Sequence, residues 1–236
     1  MLSNSELVDS KLRSDLARLV RKFNDVDLIR LTASVFKRVQ IHQNNSFYAF
    51  LTNICELVYL QGTPNSELGN IEIRDFSRDE VKMRKVFQDF VFNFYKLNQK
   101  NYSVASERLT WGAIGCEDAL RLLPNMYTDV SLSSSTRKII LDTKYYAEAF
   151  QSNWGKQSFH SSHLYQLNTY LDAAQRTSND DRQLGGILLY PATNDEFTFK
   201  FKIRNHVITV AALDMRQDSN LIGKRLLELL VTADNA

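Results

Sequence analysis

The segment Lys138-Ile139-Ile140-Leu141-Asp142-Thr143-Lys144-Tyr145-Tyr146 has the composition of a buried strand, broken by an acid and a lysine that something must compensate. Residues two apart on a strand share a face, so Asp142 and Lys144 point the same way. Upstream, Tyr127 to Leu132 reads as a second strand, joined to the first through the turn-prone Ser133-Ser134-Ser135-Thr136. A symmetric four-residue loop sets Asp129 across from Ile140 and diagonal to Asp142, with alpha carbons roughly 7–8 Å apart. Two carboxylates at that spacing can share a divalent cation. Mg²⁺ takes hard oxygen ligands and keeps several waters, and one metal-bound water can attack a phosphodiester. Lys144 would position or deprotonate that water, and the backbone carbonyl of Thr143 is a further candidate ligand. An acid-x-Lys triplet is a weak signal, since Asp9-Ser10-Lys11 and Glu80-Val81-Lys82 share it. Only Asp142-Thr143-Lys144 lies on a predicted buried strand with a second acid on the strand before it. At this level a structural ion pair between Lys144 and either acid competes with the cation site.

Outward from this hairpin the period of the apolar residues changes. The first 98 residues contain only Gly62, Gly69 and Pro64 as breakers, and Leu12, Leu16, Leu19 and Val20 recur at helical spacing. Ser3, Asn4 and Ser5 offer N-caps. Two more amphipathic segments follow, through Leu28, Leu31, Val35 and Phe36 and through Phe47, Phe50, Leu51 and Ile54, predicting a small bundle. Gly62-Thr63-Pro64-Asn65-Ser66 opens a polar connection to about Arg74, which divides a helical domain over 1–74 from a second domain over 75–236. Ser77 and Glu80 form a capping-box pattern before a helix to about Leu97, with Met83, Phe87, Phe90, Val91 and Phe94 as its stripe. Beyond the hairpin, 160–174 reads as a helix, 186–190 as a buried strand, 197–203 and 207–213 as a strand pair and 220–231 as a closing helix. This order predicts an α/β fold, a mixed sheet flanked by helices.

Composition narrows the function. With 29 Lys+Arg against 27 Asp+Glu, no global field advertises a polyanionic partner, so any basic face is local. Arg18, Arg21, Lys22, Lys37 and Arg38 are candidates for contact with DNA. Cys55 and Cys116 form no CxxC pair and fit two buried thiols in a reducing cytosol. The most apolar stretch, 47–60, is broken by Thr52, Asn53 and Glu56, so the sequence predicts a cytoplasmic protein without a membrane span. His160 and His163 are three apart on a predicted helix without further Cys or His support, which favours a solvated or DNA-facing surface over zinc. Gly223-Lys224-Arg225 lacks the pattern of a phosphate-binding loop, so GTP is not expected on this chain. Trp111 and Trp154 read as packing or rim residues.

Four segments in order carry a resemblance: Leu122-Leu123-Pro124-Asn125-Met126-Tyr127-Thr128-Asp129-Val130, then Ile140 to Tyr146, then Phe159-His160-Ser161-Ser162-His163-Leu164-Tyr165-Gln166-Leu167-Asn168-Thr169-Tyr170-Leu171, then Gly185-Gly186-Ile187-Leu188-Leu189-Tyr190-Pro191. Together they resemble the McrC family, the nuclease subunit of the McrBC restriction system that acts on modified (5-methylcytosine) DNA. The resemblance implies a restriction-endonuclease-like PD-(D/E)xK domain and a Mg²⁺-dependent endonuclease, with Mn²⁺ as substitute. Asp129 and Asp142 match the metal-binding acids, Lys144 the catalytic lysine and Gln166 a motif glutamine that supports the site or touches DNA. Tyr146 and His160 match motif positions of unassigned role. Gln88 stands where many relatives in the superfamily carry a glutamate on the first core helix. The resemblance further implies a McrB-type GTPase as partner. The sequence, however, is expected to begin where the family's N-terminal docking domain ends, so docking is not carried over. Double-strand cleavage needs two active sites, hence an expected dimer on DNA. A non-catalytic DNA-binding or assembly subunit with the same fold is the alternative.

Overall fold

The computed structural model describes residues 9–27, 29–42, 45–62, 80–146, 149–153, 156–177, 182–192 and 195–232. The chain divides into two compact units between Gln40 and Ile41. The first holds α1 (Ser10–Val20) and α2 (Ala33–Arg38), neither with a buried residue. Asp9 caps α1, its Oδ1 accepting from the Leu12 N–H at 3.0 Å and so satisfying one of the unpaired donors of the first turn. The predicted caps Ser3, Asn4 and Ser5 lie outside the described residues. Of the basic candidates here, Arg18 is already paired with Asp15 at 2.9 Å.

The second unit runs α3 (Ser46–Gly62), α4 (Glu80–Asn98), β1 (Ser103–Ala105), β2 (Arg108–Leu109), α5 (Glu117–Arg121), β3 (Met126–Tyr127), β4 (Val130–Ser133), β5 (Arg137–Thr143), β6 (Phe150–Asn153), β7 (Lys156–Phe159), α6 (Ser161–Thr177), β8 (Gln183–Pro191), β9 (Phe197–Ile203), β10 (His206–Leu213) and α7 (Ser219–Thr232). Helix α3 packs on α4. The expected domain boundary near Arg74, most of the turn cluster before it and the Ser77 cap fall outside the described residues.

Six strands form the central sheet in the order β1-β4-β5-β8-β10-β9. β5, β8 and β10 run parallel, and β1, β4 and β9 flank them antiparallel. β8 is apolar without alternation because both its faces are covered, which is the signature of a parallel strand inside a sheet. On one face Ile139, Leu141, Ile187, Leu189, Ala211 and Leu213 pack with α4 and α7 through Phe87, Val91, Leu226 and Leu229. On the other, Ile140, Leu188, Tyr190, Ile208 and Val210 pack with α6 through Leu167, Leu171 and Ala174. α6 crosses β8 at Gly186, where an added Cβ would stand 2.9 Å from both Leu167 Cδ2 and Leu171 Cδ1. Gly223 likewise lies against Phe94, which makes it a packing position between α7 and α4.

The hairpin is tighter than its sequence suggests. Ser134 N–H donates to Arg137 O at 2.8 Å and Ser134 Oγ accepts from Arg137 N–H at 3.1 Å, so the chain reverses over Ser135-Thr136 alone. The register is Ser133↔Lys138 and Val130↔Leu141, two residues away from that of a four-residue loop. An even slip keeps every side chain on its expected face but brings Asp129 level with Asp142, one step beyond the last strand pair. The predicted strand over 127–132 is also interrupted. Thr128 leaves the ladder to bond Glu107, with its N–H donating to Glu107 O at 3.0 Å and its Oγ1 accepting from Glu107 N–H at 2.9 Å. Both cysteines are exposed, contrary to their expected burial, because Cys55 lies on the outer side of α3 and Cys116 in the irregular run before α5. Among the described residues, no helix is long and apolar enough to cross a membrane.

Candidate active site

Alternation along β5 turns Ile140, Asp142 and Lys144 toward α6, while Ile139 and Leu141 face α4 and α7. Asp142 is 2% exposed and Lys144 9%. Lys144 Nζ lies 2.6 Å from Asp142 Oδ2 and donates to Gln166 Oε1 at 2.8 Å. On α6, Gln166 and Tyr170 are four residues apart and therefore on one face, and Gln166 Nε2 donates to the Tyr170 hydroxyl at 2.8 Å. The amide is thus fixed at both ends: its oxygen meets the ammonium and its nitrogen meets the phenol.

Asp129 reaches the same place from the start of β4. Its Oδ2 accepts from the Thr143 N–H and from Thr143 Oγ1, both at 2.7 Å. The residue that separates Asp142 from Lys144 therefore holds the second acid. Burial pushes the Asp142 carboxyl up to about 7, the Lys144 ammonium pulls against that shift and the Asp129 charge adds to it. The Asp129 charge thus reaches Asp142 across the hairpin.

These residues fit a hard divalent cation. Asp142 Oδ2 is buried, with the Lys144 ammonium 2.6 Å away as its counter-charge. A carboxylate oxygen is a hard ligand, and a bound cation would keep it ionised against its burial. Among the described residues no cluster of three or more His, Cys, Asp or Glu side chains is arranged for a metal, so the donor set would be the two carboxylates, a main-chain oxygen and water. Gln88 is half-buried on α4, and among the described residues it makes no hydrogen bond to either acid.

The structure brings Asp129, Asp142, Thr143, Lys144 and Gln166 together. It adds Tyr170, which the sequence alone did not single out. Tyr170 anchors Gln166, a role legible only in the four-residue helical spacing. His163 is buried rather than solvated, because its position on α6 turns it inward, where its Nδ1 meets the Tyr190 hydroxyl at 2.8 Å. Burial, with the charges of Lys144, His160 and Arg84 around it, lowers this imidazole to about 4, so it is neutral at physiological pH. Tyr146 meets both His163 and His160 in tilted ring contacts, at centroid distances of 4.7 and 5.6 Å. Trp111 is exposed, its indole N–H donating to Pro124 O at 2.6 Å, and Trp154 lies outside the described residues.

Residues 1–191 match the family described as "McrBC 5-methylcytosine restriction system component". The chain is also 28% identical over 230 residues to the "Type IV methyl-directed restriction enzyme EcoKMcrBC" of Escherichia coli (strain K12). That alignment covers 97% of this chain and 66% of the relative, so the chain spans just under two thirds of the relative's length.

Proposed function

The chain belongs to the McrBC family of restriction-system components, and on that premise we propose that it is the DNA-cleaving subunit, a Mg²⁺-dependent endonuclease of a modification-dependent restriction complex. The observation that carries this reading is the convergence of Asp129, Asp142, Lys144 and Gln166 on one sheet face, with the buried Asp142 carboxylate set against the Lys144 ammonium. Asp129 and Asp142 would hold the ion, with the Thr143 carbonyl as a third protein ligand. When bound, the ion supplies an activated water and a counter-charge for the phosphate. Lys144 holds and orients the attacking water, its ammonium aimed by Asp142 and Gln166. Tyr170 keeps the Gln166 carbonyl toward Lys144. The partners that go with this reading are modified DNA, a McrB-type GTPase and a second copy of the chain, one active site for each strand.

A calorimetric Mn²⁺ titration with short duplex DNA present, comparing the wild type with Asp142→Asn, tests the site without the partner. Binding in the wild type that the substitution removes supports it. Absence of binding in both proteins sinks the site as drawn and favours the non-catalytic assembly subunit, a reading to which the lack of a third acid at Gln88 lends weight.

A further inference from the structure

We infer that Arg84 is a strand-binding residue whose guanidinium takes a DNA phosphate next to the one cut at Asp142 and Lys144, with the Tyr146 ring as its support. This rests on the nuclease reading above and adds the residue that fixes the register of the strand. Arg84 is an exposed residue of α4, and its Cζ lies 5.6 Å from the centroid of the Tyr146 ring. Among the described residues no carboxylate pairs with it, whereas the neighbouring Lys85 is bound to Asp89 at 2.6 Å. A guanidinium stacked on an aromatic face keeps its N–H edge available, and that edge matches two phosphate oxygens at once.

The ring beneath Arg84 is itself held. Tyr146 contacts His163 and His160, whose own rings are 4.8 Å apart, and His163 is locked by Tyr190. Tyr146 is two residues beyond Lys144, so their alpha carbons are no more than about 7 Å apart. Arg84 and His163 both meet the Tyr146 ring, at 5.6 and 4.7 Å from its centroid, and the charges of Lys144 and Arg84 both reach His163. A neutral His163 supports the ring without adding a third positive charge to the pair. The result is a cation presented on a cluster of tilted aromatic rings two residues along the chain from Lys144, with solvent on its open side.

The test is binding of a short labelled duplex by the full chain across a series of salt concentrations, with Ca²⁺ in place of Mg²⁺ to prevent cleavage. Arg84→Met keeps an apolar chain over the ring and removes the charge, and Arg84→Lys keeps the charge. A phosphate contact predicts that Arg84→Met lowers the slope of log affinity against log salt by about 1, while Arg84→Lys restores most of it. Tyr146→Leu, which leaves Arg84 in place without its support, is expected to lower affinity several-fold. A wild type that binds DNA with a slope unchanged in Arg84→Met overturns this inference and leaves the nuclease reading standing. A wild type that does not bind DNA at all overturns both.

Discussion

Asp129 is tied to Thr143 by two hydrogen bonds of 2.7 Å to a single carboxylate oxygen, one from the backbone and one from the hydroxyl. Thr143→Val retains the first and removes the second. Losing one such bond costs about 1 kcal/mol of stability, read by urea denaturation. The same variant is expected to bind Mn²⁺ several-fold more weakly, because Asp129 is then held by one bond instead of two. Unchanged calorimetric affinity would show that Thr143 serves the fold alone.

Lys144→Ala is expected to abolish DNA cleavage by the assembled complex while far-UV circular dichroism and the elution volume stay those of the wild type. The fold tolerates the loss because Asp142, already poised near neutrality by burial, can take up a proton once the ammonium is gone. A variant that still cuts at the wild-type rate removes Lys144 from the mechanism.

Tyr170→Phe leaves the ring in the core and takes away the acceptor of the Gln166 amide nitrogen. The amide can then turn its nitrogen toward Lys144 and disturb the ammonium. A loss of about one hydrogen bond predicts kcat reduced roughly 5- to 10-fold with KM little changed. Steady-state cleavage assays decide it, and a drop in thermal stability without any change in kcat would confine Tyr170 to packing.

His163 makes stability depend on pH in a known direction. Its folded value of about 4 lies below the ordinary 6.5, so between those values the unfolded chain binds the proton and the folded chain does not. Its contribution is fully present above 6.5 and is lost as pH falls toward 4. His163→Gln should therefore flatten the slope of unfolding free energy against pH over that window, measured by denaturant titration at several pH values. An undiminished slope would trace the effect to other groups.

The adjacent glycines of β8 should behave differently. Gly186→Ala drives a methyl into Leu167 and Leu171, which cannot both retreat without moving α6, and is expected to cost about 1–3 kcal/mol. Gly185→Ala meets only ordinary contacts at 3.7 and 3.8 Å and should be close to neutral. Paired thermal melts give the comparison.

The long elements were legible because their patterns are unambiguous: the breaker-free α4, the apolar β8 and the paired β9 and β10 stand close to where periodicity puts them. Even the face shared by Asp142 and Lys144 followed from the two-residue repeat of a strand. What the sequence hid has short range or depends on neighbours. β1, β2, β3 and α5 are two to five residues long and too brief to show a period. The register slip was hidden because Ser134 closes the turn with its own hydroxyl, an option that every serine in the loop offers on paper. The inward turn of His163 depends on how α6 rolls on the sheet, which side-chain spacing alone does not fix.

The sheet also ends unevenly. Its β1 edge is three residues long, while β9 exposes seven and alternates Phe197, Phe199 and Phe201 with Thr198, Lys200 and Lys202. Lysines on an open edge repel the approach of another strand, a common defence against sheet extension. Two copies of this chain are therefore poorly suited to merge into one continuous sheet through β9. If two cuts are to be made in one duplex by copies joined elsewhere than at β9, the spacing of the cuts would be set by whatever bridges them.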